Sequence, residues 1–415
     1  MEEIFARLPK RLTISFPLWL IYGAKGQDTP YSDIEKVIRE HKERGFNCIR
    51  IDSGVGLIHD QNGKLRGPFE MADVFGEYEC VPRQMGFWGS GECDLLGRLM
   101  ETLEICKKQG VYVILSSWYY LHTYWFHKVG DPVCDELFAL PYGERFDAFR
   151  KFWHYLLLEL ENRGLTEQVA FVEIFNEAND HPWLCGDPDW GGCANISEEE
   201  TAFYKKQHEE ALAWLQKEHP YILFAYDASN TKRAKENMPD NAQIFNFHSY
   251  YLWSVYNEVV AEHPEWFRNV VTSEMVAECR AGRLPVAQGW YDRVAKYSDL
   301  DTAYLGAFEA ALEEKFLEKR EKYAENRAKK LKKALEYAEG KPFVCGEGVS
   351  YIASKDLQWE EKSENYWQFV KEGLALYKEA GMWGSVIRTC CGPEDPCWYD
   401  YAHKLLELNT FFLAD

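Results

Sequence analysis

Two glutamates stand out because each one ends an apolar run. Glu177 follows Asn176 in the stretch VAFVEIFNEAND, directly after residues suited to a buried strand. Glu347 occupies the same kind of position in KPFVCGEGVSY. Opposed carboxylates can cleave a glycosidic bond, because one protonates the leaving oxygen while the other attacks the sugar carbon or activates water. The pair predicts this chemistry if the fold brings Glu177 and Glu347 face to face.

Short apolar, β-branched or aromatic runs recur along the chain and alternate with stretches of helical periodicity. Ser197 with Glu200 marks one helix start, and Gly110 and Gly164 follow two helix ends. Apolar strands separated by helices indicate a parallel sheet, and eight such units close most simply into an α/β fold, the (β/α)8 TIM barrel. The alternative is a doubly wound open sheet, but the segment LIYGAKGQDTPYSD lacks the glycine-rich phosphate fingerprint of that fold. The predicted strands span residues 12–20, 46–52, 111–118, 169–175, 221–227, 242–248, 341–347 and 383–389.

Two connections are much longer than ordinary barrel loops. Residues 53–91 follow strand two, and residues 249–298 follow strand six. Both leave the carboxyl ends of strands, which form the functional face of a barrel, so we expect them to wall the site rather than to fold separately. Residues 301–339 predict a long solvated helix that leads into strand seven. We therefore expect residues 1–415 to form a single catalytic barrel domain.

The charge and the amino terminus narrow the function classes. A formal net charge of −20 argues against a nucleic acid partner, because phosphates recruit lysine and arginine. The first residues show no secretory signal, and no run of about 18 apolar residues predicts a membrane span. The 12 cysteines are scattered, which is typical of reduced thiols, and Cys390, Cys391 and Cys397 lack the spacing of a zinc site. We expect a soluble cytoplasmic protein without metal or organic cofactor, and the oligomeric state stays open.

The order of the predicted strands indicates where the two glutamates lie in the barrel. Asn176 and Glu177 end strand four, and Glu347 ends strand seven. These strands lie on opposite sides of an eight-stranded ring, so the carboxylates face each other across its mouth. The rival for the second position is Glu274 in NVVTSEMVAE, but its use would leave KPFVCGE without a place among eight strands.

Four motifs in this order resemble those of clan A glycoside hydrolases, and most closely those of family 5 cellulases and mannanases. They are GFNCIRID in strand two, FNE in strand four, HSY in strand six and KPFVCGEGVSY in strand seven. The resemblance implies a retaining β-glycosidase with Glu177 as acid/base and Glu347 as nucleophile. It also implies that Asn176 bonds a sugar 2-hydroxyl, that Arg50 orients the surroundings of the nucleophile, that His248 lines the site and that Tyr250 donates to Glu347.

The expected chemistry agrees with these roles. An acid catalyst near neutral pH needs a raised pKa, which a neighbouring carboxylate and an aromatic wall provide, while Arg50 and Tyr250 would keep the nucleophile ionised. The alternatives are that Arg50 only pairs with a core carboxylate, that His248 is a satisfied core histidine and that Glu177 caps a helix.

Three positions depart from the family pattern, and they bear on the substrate rather than on the carboxylate pair. Ala178 stands where the family has proline after Asn-Glu, and Arg388 stands near the usual strand-eight tryptophan. Trp118 occupies the place of a strand-three histidine, with His122 slightly later.

Aromatic and charged residues around the predicted mouth indicate a carbohydrate substrate. Sugar rings stack on aromatic side chains, and polar groups read hydroxyls. We expect Asp52, Arg388, Glu394 and Asp395 to ring a terminal sugar in a closed, exo-acting pocket, unless they pair with one another. The alternatives are an endo-acting cellulase-like or mannanase-like cleft, a noncatalytic carbohydrate-binding barrel, and a metal enzyme in which Glu177 and Glu347 are ligands. The aromatic candidates are Phe87, Trp88, Trp118, Tyr119, Tyr120, Tyr124, Trp125, Trp183, Trp190, Tyr251, Trp253 and Trp398.

Overall fold

The computed structural model describes residues 2–23, 26, 28–71, 91–118, 132–177, 197–229, 234–268, 300–349, 356–389 and 391–414. Its strands are β1 (Leu12–Ser15), β2 (Cys48–Asp52), β3 (Phe69–Met71), β4 (Gly91–Cys93), β5 (Tyr112–Ser116), β6 (Val169–Glu173), β7 (Phe224–Ala228), β8 (Ile244–Ser249), β9 (Phe343–Gly348) and β10 (Gly384–Val386). All except β3 and β4 form a closed ring of parallel strands that runs from β1 through β2, β5, β6, β7, β8, β9 and β10 back to β1. The predicted (β/α)8 barrel is confirmed.

Helices alternate with the barrel strands along the chain. They are α1 (Glu2–Arg7), α2 (Ile34–Glu43), α3 (Leu95–Gln109), α4 (Pro132–Phe138), α5 (Arg145–Asn162), α6 (Glu198–Glu218), α7 (Ala234–Asn237), α8 (Trp253–Glu262), α9 (Leu305–Ala338), α10 (Trp359–Lys362), α11 (Glu364–Glu379), α12 (Cys397–Asp400) and α13 (Ala402–Leu413). Ser197 and Glu200 form the predicted capping box at the start of α6. Gly110 ends α3 in left-handed backbone, with a φ of 68°, which a glycine adopts without steric cost.

Both long insertions contain regular structure where they are described. The first carries an antiparallel hairpin of β3 and β4, in which Phe69 pairs with Cys93. Residues 72–90 and 269–299, which belong to the two insertions, lie outside the described residues. The predicted helix before strand seven is confirmed as α9, but it is not solvated on all sides, because Phe308, Leu312 and Phe316 on it are buried.

An apolar layer fills the barrel near the amino-terminal ends of its strands. Cys48, Ala225 and Ile244 belong to it, and Ile4 and Leu8 from the amino-terminal segment pack into the same cluster. Side chains two residues apart on a strand point to the same face. The next inward-facing positions therefore lie one level closer to the barrel mouth, and there the sequence turns polar.

Two expectations from the composition concern membrane spans and reduced cysteines. Across the described ranges, no helix is long and apolar enough to cross a membrane. Six cysteines whose side chains are described carry free, buried thiols, namely Cys48, Cys93, Cys106, Cys345, Cys391 and Cys397. Cys390 lies outside the described residues. The cytoplasmic location stays a prediction.

Candidate active site

A polar layer lies directly above the apolar layer of the barrel, on the side of the barrel mouth. Arg50, Glu173, Asp227 and Asn246 each stand two residues beyond a member of the apolar cluster on β2, β6, β7 and β8. All four are buried, with at most 1% of their surface exposed. Buried charges require partners, because their desolvation costs several kcal/mol each. These side chains supply one another with those partners.

The Arg50 guanidinium is the centre of this layer. Its Nε lies 2.9 Å from Oε2 of Glu173, and its Nη2 lies 2.6 Å from Oδ2 of Asp227. Its Nη1 donates to Oε1 of Glu347 over 2.6 Å. Although burial opposes the charge, these carboxylates raise the pKa of Arg50 above its ordinary value. Arg50 thus pairs with core carboxylates and also contacts the predicted nucleophile.

Trp118 covers the same guanidinium. The Arg50 guanidinium carbon lies 4.3 Å from the centre of the Trp118 ring, which is a cation–π distance. Trp118 has 3% of its surface exposed. We therefore assign the Trp118 indole to packing over Arg50 in place of the predicted contact with a sugar.

Asn246 connects the carboxylates of the layer to the backbone of β9. Its Nδ2 donates to Oε1 of Glu173 over 2.6 Å and to Oδ2 of Asp227 over 3.0 Å. Its Oδ1 accepts the Gly346 N–H over 2.7 Å. A Cβ atom at position 346 would lie 2.7 Å from that Oδ1, so only glycine leaves room for the amide. Burial, together with the charge of Asp227 and against the pull of Arg50, raises the pKa of Glu173 to about 7.

Asn176 and Glu177 follow β6 at the mouth, as predicted. The Oδ1 of Asn176 accepts from Nη2 of Arg50 over 2.8 Å, and its N–H donates to the Ser117 carbonyl over 3.1 Å. Glu177 has a φ of 51°, in the left-handed region that residues other than glycine rarely adopt. Its backbone N–H donates to Oδ1 of Asp227 over 3.2 Å. The turn after β6 is therefore fixed by contacts to β2, to β7 and to Ser117 just after β5.

His248 connects Glu177 to Asp227. Its Nδ1 lies 2.8 Å from Oε1 of Glu177, and its Nε2 lies 3.1 Å from Oδ1 of Asp227. Although burial alone would lower it, the charges of Asp227 and Glu347 raise the pKa of His248 well above 6.5. The charged form of the ring is therefore favoured, with Nδ1 facing Glu177 and Nε2 facing Asp227. For Asp227, burial would raise the pKa, but the charges of His248 and Arg50 hold it below its ordinary value.

Tyr250 and Arg50 hold the two oxygens of Glu347. The Tyr250 hydroxyl donates to Oε2 over 2.6 Å, as predicted, while Arg50 contacts Oε1. Burial and the neighbouring carboxylates raise the pKa of Tyr250 well above its ordinary value, so the hydroxyl stays a donor. Trp253 packs edge-on against the Tyr250 ring at 6.2 Å. The closed ring takes β9 as its seventh strand, and Glu274 lies outside the described residues.

The two predicted catalytic carboxylates are close to each other. One oxygen of Glu177, one oxygen of Glu347 and a ring nitrogen of His248 all lie within 4.8 Å of one another. This spacing alone would admit a metal ion. Hydrogen bonding accounts for the arrangement instead, because Nδ1 of His248 lies 2.8 Å from Oε1 of Glu177, a hydrogen-bond distance, and Nε2 contacts Asp227. We interpret the three side chains as a hydrogen-bonded acid group.

Asp52 stands apart from the carboxylate pair. Its side chain accepts from the Tyr22 hydroxyl over 2.7 Å, from the Gly54 N–H over 2.8 Å and from the Trp118 N–H over 2.8 Å. It has no exposed surface. Because three protein donors already surround the carboxylate, we assign Asp52 to holding the loops after β2 and β5 in place of the predicted sugar contact.

Arg388 also receives a structural assignment. Its Nη1 donates to Oε1 of Glu361 over 2.6 Å, and its Nη2 lies 3.1 Å from Oε2 of Glu360 and 3.5 Å from Oδ2 of Asp395. It has no exposed surface. The alternative of internal pairing is thus the arrangement found for Arg388 and Asp395, and Glu394 lies in the same turn as Asp395. A second buried guanidinium cluster forms beyond β10, in place of the predicted ring of sugar contacts.

The described aromatic candidates divide between the site and the core. Trp253 lies at the site beside Tyr250, whereas Trp398 has no exposed surface and donates to Glu40 over 2.7 Å. Tyr251 is buried against Phe369. The other candidates lie outside the described residues, namely Phe87, Trp88, Tyr119, Tyr120, Tyr124, Trp125, Trp183 and Trp190, and so do Ala178 and His122.

Sequence reasoning missed Glu173, Asp227 and Asn246. A signal for them exists, because each interrupts an apolar strand with a polar residue at an inward-facing position. Asn246 stands two residues before His248 and so shares its face. The predictions concentrated on strand ends and overlooked polar residues inside the strands.

A closed (β/α)8 barrel with two neighbouring glutamates after its fourth and seventh strands has the architecture of clan A glycoside hydrolases. The chain matches the sugar-binding cellulase-like family over residues 18–410 and belongs to that family. This membership confirms the resemblance to family 5 cellulases, and the protein is a glycoside hydrolase of that kind. No curated protein sequence matches the chain.

Solved structures share the fold at low sequence identity. A glycoside hydrolase candidate from Parabacteroides distasonis superposes with a TM-score of 0.67 at 18% identity, over 97% of this chain and 93% of that chain. A broad-specificity endoglucanase of family 5 subfamily 4 from an uncultured bacterium has a TM-score of 0.50 at 13% identity, over 99% and 96%. A family 5 xyloglucanase from Paenibacillus pabuli has a TM-score of 0.50 at 12% identity, over 98% and 99%. At these identities the likeness concerns the fold.

Proposed function

We propose that the protein hydrolyses β-glycosidic bonds of an oligosaccharide or glycoconjugate with retention of configuration. The observation that carries the proposal is the separation of the carboxylates, since one oxygen of Glu177 and one of Glu347 lie within 4.8 Å of each other. Retaining enzymes keep their carboxyl groups about 5 to 5.5 Å apart, whereas inverting enzymes need about 6.5 to 9.5 Å for a water molecule. We further propose that residues 1–415 act as one catalytic domain without metal or organic cofactor.

The surroundings of the two glutamates support distinct roles. Glu347 accepts from the Arg50 guanidinium and from the Tyr250 hydroxyl, so two donors fix the orientation of its carboxylate, as a nucleophile requires. Glu177 keeps 21% of its side chain exposed at the mouth, where a leaving group or water can reach it. We therefore assign Glu347 as nucleophile and Glu177 as acid/base.

The proposed reaction has two displacements. An oxygen of Glu347 attacks the anomeric carbon while Glu177 gives its proton to the leaving oxygen, which forms a covalent glycosyl-enzyme. Glu177, now ionised, then removes a proton from water as that water attacks the same carbon, and Glu347 leaves. The amide nitrogen of Asn176 is the group that we assign to the sugar 2-hydroxyl. Each displacement inverts the anomeric carbon, so the product retains the configuration of the substrate.

The central test replaces each glutamate by its amide. Glu177→Gln and Glu347→Gln should each lower kcat on aryl β-glycosides by more than about 10³-fold, since Gln keeps the shape but removes the acid or the nucleophile. Thermal melts should show that both variants fold. Turnover at the wild-type level in either variant would end the assignment, and binding of oligosaccharides without turnover in the wild type would favour the noncatalytic barrel.

Stereochemistry provides an independent test. Proton NMR of the first product formed from an aryl β-glycoside should show the β-anomer. Glu347→Ala should regain turnover with azide and release an α-glycosyl azide, because azide fits the cavity left by the nucleophile. A first product with the α configuration would replace retention by inversion.

We propose exo action on small substrates for this enzyme. The two long insertions support it, because they leave the carboxyl ends of β2 and β8, where loops shape the subsites. The endoglucanase and the xyloglucanase that share the fold favour the alternative, an endo-acting cleft. Viscometry on soluble β-glucan and mannan decides, since a rapid fall in viscosity with long early products would exclude exo action. Aryl glycosides that differ at the 2, 4 and 6 positions would identify the sugar.

A further inference from the structure

Asp227 contacts both halves of the proposed catalytic site. Its Oδ1 accepts the Glu177 N–H over 3.2 Å, and Nε2 of His248 lies 3.1 Å from Oδ1 and 3.2 Å from Oδ2. Its Oδ2 accepts from Nη2 of Arg50 over 2.6 Å and from Nδ2 of Asn246 over 3.0 Å. Asp227 has 1% of its surface exposed, below the mouth of the barrel. It therefore acts on a substrate only through its neighbours.

We propose that Asp227 is a positioning residue of the hydrolysis, which fixes Glu177 and His248 while it also holds Arg50, the guanidinium partner of Glu347. The inference rests on the proposed function, because it takes Glu177 as the acid/base. It concerns the step in which the leaving oxygen is protonated, and it assigns a role to a residue that never touches the sugar.

Asp227 first acts on the backbone of Glu177. Its φ of 51° lies in the left-handed region, and such conformations persist only where the surroundings over-determine them. Asp227 holds the N–H of this same residue, while the preceding N–H of Asn176 is held by the Ser117 carbonyl. The carboxylate of Asp227 thus helps to fix the direction in which the Glu177 side chain leaves the backbone.

Asp227 also acts on the charge of His248. Asp227 on β7, Glu177 after β6 and Glu347 on β9 face the ring directly. The Tyr250 hydroxyl bonds Glu347 beside the ring. Arg50 and Glu173 stand behind Asp227 and Asn246. Of these groups, Asp227 is the carboxylate that contacts Nε2, so its charge stabilises the ring in its doubly protonated form.

A doubly protonated ring determines where the catalytic proton lies. Nδ1–H of His248 donates to Oε1 of Glu177, so the transferable proton of the acid is carried by Oε2. A neutral ring with its single proton on Nε2 would accept at Nδ1 instead, and it would draw the Glu177 proton onto Oε1, away from the leaving group. The contribution of Asp227 to the rate should therefore be larger for a leaving group that must be protonated than for one that departs as an anion.

The test compares two leaving groups in Asp227→Asn. For an aryl β-glycoside with an unactivated phenol, we expect kcat/KM to fall about 10²-fold, within the range that general acid catalysis contributes. For the dinitrophenyl glycoside, whose phenolate leaves without a proton, the loss should stay below about 10-fold. Asp395→Asn, at the second guanidinium cluster, serves as the matched control, because it also removes a buried aspartate beside an arginine. In the control, the ratio between the two substrates should equal that of the wild type.

Imidazole ¹⁵N NMR provides a readout that does not depend on turnover. The 11 histidines are assigned with the help of His248→Gln. At pH 7.5 both nitrogens of His248 should be protonated in the wild type and in Asp395→Asn, whereas one should be deprotonated in Asp227→Asn. The same variant should lose kcat/KM as the pH rises through about 6.5, the ordinary pKa of histidine.

A second variant keeps the proposal testable if Asp227→Asn folds poorly. Asp227→Asn with Asn246→Asp restores the net charge beside Arg50 but leaves an amide against His248, so the ring should again lose its second proton. A doubly protonated His248 in both variants, or equal losses on both leaving groups, would overturn the proposal. Failure of the proposed function is distinguishable, because it would appear as turnover in Glu177→Gln while the NMR result on His248 stood.

Discussion

The Tyr250 hydroxyl lies 2.6 Å from Oε2 of Glu347, the oxygen opposite to the one that Arg50 contacts. Two hydrogen-bond donors thereby hold Glu347 from two sides. Neither donor loses its proton easily, since the pKa of Tyr250 is raised well above its ordinary value and the pKa of Arg50 is raised as well. A carboxylate in this setting has a fixed orientation, which suits a nucleophile that must attack along one line.

Removing the Tyr250 hydroxyl should slow the reaction without unfolding the protein. We expect Tyr250→Phe to lower kcat about 10- to 10²-fold, because one donor to Glu347 is lost while the ring stays packed against Trp253. Tyr251→Phe is the control, since its hydroxyl bonds Ser249 and Tyr377 away from the carboxylates. Steady-state kinetics on an aryl β-glycoside measure the effect. Equal kinetics for the two variants would show that the Glu347 contact does not contribute.

The two buried guanidinium clusters should separate stability from catalysis. The substitutions Arg50→Met and Arg388→Met each leave buried carboxylates without their cationic partner. Each should therefore lower the free energy of unfolding by about 3 to 5 kcal/mol in urea titrations. Arg50→Met should also abolish turnover by the folded molecules, because Glu347 loses a partner. Arg388→Met should retain turnover per folded molecule within a few-fold. Strong loss of turnover in a folded Arg388→Met would return Arg388 to the substrate site.

Glu173 should make folding depend on pH. Its pKa is raised to about 7 in the folded protein from an ordinary value of 4.5, so the folded state binds more protons between these values. The contribution of Glu173 therefore falls as the pH rises from about 4.5 to 7, by about 1 kcal/mol per pH unit at most. Urea titrations of the wild type and Glu173→Gln at pH 5, 6 and 7 should show the wild type losing stability relative to the variant. Parallel curves would contradict the raised pKa.

A methyl group at position 346 should disturb the layer beneath the site. In Gly346→Ala, the Cβ atom would meet the Asn246 amide, which must turn away from Glu173 and Asp227. We expect a loss of about 2 to 3 kcal/mol in stability. The same change in an Asn246→Ala background should cost much less, because the obstructing amide is gone. Gly306→Ala on α9, where a Cβ atom meets nothing within 4 Å, is the control and should be neutral or stabilising.

The fold could be predicted because apolar strands and capped helices alternate throughout the chain. The site residues Arg50, Asn176, Glu177, His248 and Tyr250 were also predicted together with Glu347, and the structure brings them into one hydrogen-bonded group. Each stands at or near a strand end, where the register of a barrel decides which side chains meet.

Asp52 and Arg388 show what this reasoning could not predict. Asp52 ends β2 and pairs with Ser116 in the barrel, yet its carboxylate bonds to Tyr22. Arg388 lies two residues beyond β10 and bonds to Glu361. Their partners lie 30 and 27 positions away in sequence, and no local pattern indicates such pairs. Asp227 was missed for a different reason, since inward-facing polar residues inside strands were not considered.

The polar layer draws on β2, β6, β7, β8 and β9, and each of its members depends on a neighbour from another strand. A catalytic group built from one loop could survive while the rest of a protein melts. Here the group is assembled only while the ring is closed, so we expect a partly open ring to be inactive. Loss of activity and unfolding of the barrel should thus be one cooperative event. The activity that remains in a heated or denaturant-treated sample should then be proportional to the fraction of molecules with an intact barrel.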